Sequence, residues 1–254
     1  CAATCAKLQE ALNKAEIAED TYNEDGESKG ITGGYQRLDP VKDAKELKSL
    51  GIVDPKEQLA PDETDFRARI YKRVVAGKTE YVVGYRGTAP REGLMNNLKP
   101  GANVREDVTQ ALGLNGPDDS SAYDRAIKLA TTVSRNAAKK GATVSYTGHS
   151  LGGGMASAAA AQSGNPATSF NAAGLHPNTV GGLIPDDGGE VEAIFTPTDP
   201  LSLIQDNTGL PKAHGKRHVV PFPDDGEVQN AKDTHGMRLV MEGIKQEQRD
   251  AKCI

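Results

Sequence analysis

The sequence has 254 residues and a formal net charge of −5 at pH 7; 37% of its residues are hydrophobic and 26% are charged. This length predicts one domain, and a mean hydropathy of −0.54 without an apolar run near about 18 residues excludes a membrane-spanning helix. The acidic charge and the scarcity of aromatic residues argue against nucleic-acid binding, which favours a basic surface with stacking platforms.

The first half of the chain predicts short helices and one β-hairpin. Apolar residues at helical spacing predict a helix over residues 2–22, and a shorter helix over 43–50 ends at Gly51. Two strands rich in Val, Ile and Tyr, 66–77 and 78–88, predict a hairpin that turns at residues 76–78. The remaining segments are expected to be irregular: residues 23–34, 55–65 and 92–118.

Strands and helices alternate in the second half. The longest helix is predicted over residues 120–140. Strands are predicted over residues 142–150, 167–174, 190–199 and 217–222. Further helices are predicted over residues 151–163 and 234–252. This alternation predicts an α/β fold, with a mostly parallel central sheet and helices on both faces.

All three cysteines lie near the chain ends, at Cys1, Cys5 and Cys253. They form no C-x-x-C pair, which excludes zinc ribbons and thioredoxin-like redox sites. Because domain termini often lie close in space, a disulfide from Cys1 or Cys5 to Cys253 is one hypothesis, which an oxidising compartment would favour. Free terminal thiols are the alternative, and Cys1 is also a candidate for lipid modification.

The strongest chemical signal is the sequence G-x-S-x-G at residues 148–152, which contains Ser150. It follows a predicted strand and opens a helix of small residues, which is the context that a nucleophile elbow requires. Gly148 and Gly152 would remove Cβ atoms that collide in so cramped a turn. The helix N-terminus would direct backbone N–H groups to the position where an oxyanion forms. A glycine-rich turn with an incidental serine is the alternative.

A serine nucleophile requires a base and an acid that orients the base. In the elbow fold the acid and then the histidine follow the serine along the chain. His235, in a polar turn before the last helix, fits as the base, with His218 as the alternative. Asp199, at the end of a predicted strand, fits as the acid, with Asp206 as second choice. His149 adjoins the serine, so its ring is expected to point away from Ser150 and to serve the structure.

These motifs resemble class 3 lipases, a family of α/β-hydrolases, and most of all the bacterial branch that includes antibacterial effector phospholipases. The resemblance covers about residues 66–245 of a single domain, 1–254, and is carried by the segments YVVGYRGT, YTGHSLGGGMASAAA, FNAAG and TPTDPLS. It implies an α/β-hydrolase-like fold with Ser150 as nucleophile, Asp199 as orienting acid and His235 as base. It also implies an oxyanion hole built from the backbone N–H groups of Thr88 and Leu151. Arg86 and Gly87 would hold the loop that contains Thr88.

The resemblance implies an A-type lipase or phospholipase that is secreted or delivered into the envelope of a target cell. Leu94, Met95 and Leu98 are candidates for a lid that contacts lipid at a membrane surface, with an ordinary surface loop as the alternative. A delivered toxin implies an inhibitor protein that covers the site. A soluble esterase or thioesterase, or a non-catalytic module on the same scaffold, are the alternative functions. No phosphate-binding loop, H-E-x-x-H or dinucleotide fingerprint is present in the sequence, so we expect no cofactor and no metal.

Overall fold

The computed structural model describes residues 2–88 except 25, 29, 62, 63 and 65, and residues 119–175, 188–222 and 234–254, with the backbone alone for 119–121. Within these ranges, seven strands form one sheet in chain order. The strands are β1 Gln36–Arg37, β2 Ala68–Val75, β3 Lys78–Tyr85, β4 Thr143–His149, β5 Ala167–Phe170, β6 Val191–Phe195 and β7 Lys216–Val219. The first three strands pair antiparallel, and β3 to β7 pair parallel.

Helices cover both faces of this sheet. In the same ranges they are α1 Ala2–Asp20, α2 Ala44–Ser49, α3 Pro55–Leu59, α4 Asp119–Lys139, α5 Leu151–Ser163, α6 Pro200–Asn207 and α7 Met237–Asp250. Helices α4 and α5 pack on one face in a core that includes Tyr85 and Tyr146, and α1 and α7 pack on the other against Phe170 and Ile194. The expected α/β fold with a mostly parallel sheet is therefore confirmed. None of these helices is long and apolar enough to cross a bilayer.

The predicted hairpin is confirmed, and its turn has two residues. Val75 pairs with Lys78, and Ala76 and Gly77 between them have φ values of 50° and 75°. Positive φ at both central positions defines a type I′ turn, whose twist matches that of the flanking strands. Strand β3, the second strand of the hairpin, is the one that joins the parallel part of the sheet.

Two short elements correct the sequence prediction. Residues 55–65 were expected to be irregular, but they begin with α3. Asp54 accepts a hydrogen bond from the N–H of Glu57 at 3.1 Å, and Pro55 occupies the first turn, so cap and proline together start a helix of five residues. Strand β1 was also not predicted, because two residues are too few to show an alternating pattern.

The two ends of the chain are joined. Helices α1 and α7 pack side by side, and Cys5 forms a disulfide with Cys253 across 248 residues of sequence. The hypothesis of a disulfide to Cys253 is confirmed, and Cys5 rather than Cys1 supplies the partner. Cys1 itself falls outside the part of the chain that the structure describes.

Candidate active site

Ser150 occupies a strained turn between β4 and α5. Its φ and ψ are 58° and −124°, a positive φ that an L-residue rarely adopts. A Cβ on Gly148 would lie 2.3 Å from the carbonyl carbon of Gly152, and one on Gly152 would lie 2.2 Å from the carbonyl oxygen of Tyr85. Both positions therefore require glycine, as the sequence predicted, and strain of this kind is typical of functional turns.

A chain of hydrogen bonds joins Ser150 to a histidine and a carboxylate. Ser150 Oγ lies 3.0 Å from His235 Nε2, and His235 Nδ1 lies 2.6 Å from Asp199 Oδ1. The second carboxylate oxygen of Asp199 accepts hydrogen bonds from the backbone N–H and the hydroxyl of Ser202, at 2.8 and 2.6 Å. All four residues are buried, and Asp199 has no accessible surface. The structure thus brings together the expected nucleophile, base and acid.

The ends of the parallel strands account for this convergence. Ser150 directly follows β4, and Asp199 lies in the turn after β6. The carboxyl ends of parallel strands share one edge of the sheet, where α/β proteins place their sites. His235 reaches the same edge two residues before α7 begins. Asp199 also caps α6, a helix that the sequence analysis did not predict, and Pro200 begins that helix.

His218 and Asp206, the alternative base and acid, form ion pairs with other side chains. His218, on β7, lies 3.4 Å from Glu192 Oε1 and 2.9 Å from Glu247 Oε1, and these carboxylates raise the pKa of its imidazole. Asp206, on α6, receives two hydrogen bonds from Arg217, at 2.8 and 3.1 Å, which lower the pKa of its carboxyl. Neither His218 nor Asp206 is among the hydrogen-bonded partners of Ser150 or of its histidine.

The loop after β3 approaches the serine closely. A Cβ on Gly87 would lie 3.3 Å from the Cβ of Ser150 and 2.6 Å from the carbonyl oxygen of His149. Thr88 follows directly and is half-buried, and Leu151 is the first residue of α5. The first amides of a helix have no acceptor within it, so the N–H of Leu151 is available to a group at the helix N-terminus. The expected lid residues Leu94, Met95 and Leu98 lie outside the described residues.

His149 contacts the candidate base in a way that the sequence analysis did not foresee. Its ring centroid lies 4.7 Å from that of His235, and its Nε2 lies 2.7 Å from the backbone carbonyl oxygen of His235. Burial, reinforced by the neighbouring His235, lowers the pKa of His149 to about 3. A histidine beside a predicted nucleophile is ambiguous in the sequence, because its ring direction depends on packing.

Two further residues at this edge were missed. Tyr22 Oη lies 2.9 Å from His149 Nδ1, and Asn171 Nδ2 donates to the carbonyl oxygen of His235 at 2.8 Å. Asn171 directly follows β5, so a polar residue after a strand on this edge was the available signal. Tyr22 carried no signal, because it lies far from the other residues in sequence. No group of three or more metal-ligating side chains occurs among the described residues.

The sheet topology and the serine turn define an α/β-hydrolase-like protein. The model of a phospholipase-like family, the Tle-like phospholipase domain, matches residues 13–236. The chain therefore belongs to this phospholipase-like family, and the lipase-like resemblance drawn from its motifs is confirmed.

A curated relative and several solved structures are similar to the chain. The extracellular phospholipase A1 of Serratia liquefaciens is 29% identical over 202 residues, which are 76% of this chain and 54% of the relative. The chain thus spans about half the length of that relative. The Rhizomucor miehei lipase in its propeptide complex is 12% identical with a TM-score of 0.43, over 89% of this chain and 86% of that one. A mutant form of MDLA from Penicillium cyclopium is 14% identical with a TM-score of 0.46, over 93% and 86%.

Proposed function

We propose that this protein is a serine ester hydrolase and an A-type phospholipase, with Ser150 as nucleophile, His235 as general base and Asp199 as orienting acid. The observation that carries the proposal is the hydrogen-bonded chain from Ser150 Oγ through His235 to Asp199, at 3.0 and 2.6 Å. Membership of a phospholipase-like family supports a phospholipid as the ester.

The hydrogen bonds select the tautomer that a base needs. An ionised carboxylate only accepts, so the proton between Asp199 and His235 lies on His235 Nδ1. His235 Nε2 then carries a lone pair and accepts the hydroxyl proton of Ser150. Because Ser202 holds the other carboxylate oxygen, Asp199 keeps the orientation in which it fixes the imidazole.

The reaction follows from this arrangement. Ser150 Oγ attacks the acyl carbonyl carbon while its proton moves to His235 Nε2, and the backbone N–H groups of Thr88 and Leu151 stabilise the oxyanion. Collapse breaks the ester bond, and His235 gives the proton to the departing lysophospholipid oxygen. A water molecule then loses a proton to His235 and attacks the acyl-enzyme, which releases the fatty acid and restores Ser150.

The test compares defined substrates and variants. The purified protein is expected to hydrolyse phosphatidylcholine labelled in one acyl chain, and a fluorophosphonate should label Ser150. Ser150→Ala should lower kcat by about 10⁴- to 10⁶-fold, and Asp199→Asn by about 10⁴-fold. Ser157→Ala is the matched control, because Ser157 is also buried on α5 but donates to the carbonyl oxygen of Gly153 at 2.9 Å.

Each other outcome favours another function. Activity that survives Ser150→Ala would exclude the mechanism. Turnover of short nitrophenyl esters or thioesters without turnover of phospholipid vesicles would indicate a soluble esterase or thioesterase. Absence of both labelling and turnover would indicate a non-catalytic module.

We also propose that the enzyme acts outside the cytoplasm of the cell that makes it, on the membrane lipids of a target cell. The disulfide between Cys5 and Cys253 supports an oxidising compartment, and the Serratia relative is described as extracellular. Expression in a bacterial periplasm should stop growth, whereas the Ser150→Ala variant should not. Co-sedimentation with phospholipid vesicles tests the membrane contact, and protection from that toxicity by a co-expressed protein would identify the expected inhibitor.

A further inference from the structure

A second chain of hydrogen bonds runs beside the candidate active site. Tyr22, just after α1, is half-buried. Its hydroxyl lies 2.9 Å from His149 Nδ1 and against the backbone of Gly87, where an added Cβ would lie 2.5 Å from Tyr22 Oη. The other ring nitrogen of His149 lies 2.7 Å from the backbone carbonyl oxygen of His235. The chain therefore begins next to Thr88, an expected oxyanion donor, and ends on the backbone of the expected base.

We propose that Tyr22 and His149 are positioning residues that fix the backbone of His235 relative to the loop of Gly87 and Thr88. The inference rests on the proposed function, because it concerns the geometry of the same site. The two residues act through His235 and the oxyanion loop.

The donors and acceptors of this chain admit one arrangement. The carbonyl oxygen of His235 only accepts, so His149 Nε2 carries a proton. His149 is neutral, because burial lowers its pKa to about 3, and its Nδ1 is therefore an acceptor. Burial also raises the pKa of the Tyr22 hydroxyl, which keeps its proton and donates it to His149 Nδ1.

The backbone around His235 is held from two further strand ends. Asn171, after β5, donates to the carbonyl oxygen of His235 at 2.8 Å, so that this oxygen accepts two hydrogen bonds. Thr196, after β6, donates its hydroxyl to the carbonyl oxygen of Thr234 at 2.9 Å and its N–H to the side-chain oxygen of Asn171 at 3.0 Å. The ends of β4, β5 and β6 thus hold the backbone of Thr234 and His235. His149 connects this backbone to the loop of Gly87 through Tyr22.

The neutral state of His149 also suits the reaction. The base becomes an imidazolium when it takes the serine proton, and the two rings lie 4.7 Å apart between centroids. A protonated His149 would place a second positive charge beside it and would oppose the proton transfer. A neutral ring at this position supports His235 without that repulsion.

The test is a double-mutant cycle between Tyr22→Phe and His149→Leu, measured as kcat and KM for one phospholipid. Tyr22→Phe removes only the hydroxyl, and we expect kcat to fall about 10- to 100-fold, with KM within twofold, because displaced reacting groups slow the chemical step. In the His149→Leu background, Tyr22→Phe should lower kcat less than threefold, because the imidazole through which Tyr22 acts is already absent. His149→Gln should recover most of the activity, because its amide can donate to His235 and accept from Tyr22.

Tyr85→Phe is the matched control. Tyr85 donates its buried hydroxyl to the carbonyl oxygen of Ala126 at 2.9 Å, away from the chain described above. We expect Tyr85→Phe to lower stability as much as Tyr22→Phe does and to leave kcat unchanged. A readout that needs no substrate is the nitrogen-15 NMR spectrum of His149, in which the Nε2-protonated tautomer is expected at pH 7.

The outcomes separate this inference from the proposed function. Three results would overturn the inference and leave the proposed function intact. One is a kcat of Tyr22→Phe within twofold of the wild type, and another is an equal loss of kcat from Tyr22→Phe in both backgrounds of the cycle. The third is a His149 that carries its proton on Nδ1. A wild-type protein that neither turns over esters nor reacts with a fluorophosphonate would overturn the proposed function and this inference together.

Discussion

Burial of His149 as a neutral ring makes a quantitative prediction about acid stability. Its pKa in the folded protein is about 3, whereas an unperturbed histidine has a pKa of 6.5. As the pH falls below the higher value, the unfolded chain binds a proton at this position and the folded protein does not. The sign follows directly: this residue makes the folded state progressively less stable as the pH falls from about 6.5 towards about 3.

The magnitude follows from the same two pKa values. The free energy of unfolding changes by about 1.4 kcal/mol per pH unit between them, so the loss from pH 7.5 to pH 5 is about 2 kcal/mol. This figure hardly depends on the folded pKa, which lies well below the window. His149→Gln removes this titration and can keep both hydrogen bonds. As the pH falls from 7.5 to 5, the free energy of unfolding of the variant should therefore rise by about 2 kcal/mol relative to that of the wild type.

Urea unfolding between pH 7.5 and pH 5 measures this difference. The chain contains no tryptophan, so far-ultraviolet circular dichroism is the appropriate signal. Carboxylates that titrate in the same range contribute equally to both proteins and cancel in the difference. If the stability curves of the wild type and His149→Gln run parallel over the whole interval, His149 titrates as an exposed histidine does, and the argument from its burial is refuted.

Two further predictions concern the side of the molecule where α1, α7 and the last strands meet. Reduction of the bond between Cys5 and Cys253 should lower the free energy of unfolding by roughly 2–5 kcal/mol, because the bond closes a loop across 248 residues; an unchanged melting temperature in reductant would contradict this. His218→Gln should cost about 0.5–1 kcal/mol at pH 5.5 and little at pH 9. Hydrogen bonding to Glu192, and then to Glu247, raises the pKa of His218. The pairing therefore stabilises the folded state fully below the unperturbed histidine pKa, and this stabilisation is lost as the pH rises through the raised pKa. A loss of stability in His218→Gln that is larger at pH 9 than at pH 5.5 would contradict this sign.

Local patterns in the sequence were enough to predict most of the fold. Helical spacing marked α1, and alternation of strands and helices after residue 120 indicated the parallel sheet. The two glycines around Ser150 predicted a cramped turn, because the collision of a Cβ with a neighbouring backbone is a short-range effect. The helices α3 and α6 were not predicted because each begins at an Asp-Pro pair, which is as typical of a turn as of a helix N-terminus. The extent of the single domain, 1–254, stays a prediction.

The choice among candidate partners required the folded chain. Sequence order left His218 as an alternative to His235 and Asp206 as an alternative to Asp199, because no local pattern tells which of two distant side chains reaches a given serine. Packing of the strand ends at one edge of the sheet brings His235 within 3.0 Å of Ser150 Oγ across 85 positions.

The same limit explains why the roles of Tyr22 and Asn171, and the choice of Cys5 for the disulfide, were absent from the sequence analysis. A periodic pattern in the sequence indicates which face of a helix or strand is buried, because that face is specified by the residues of the element itself. Contacts between elements depend on how every element packs against the others, so hydrogen bonds such as that from Tyr22 to His149 exist only once the tertiary structure has formed.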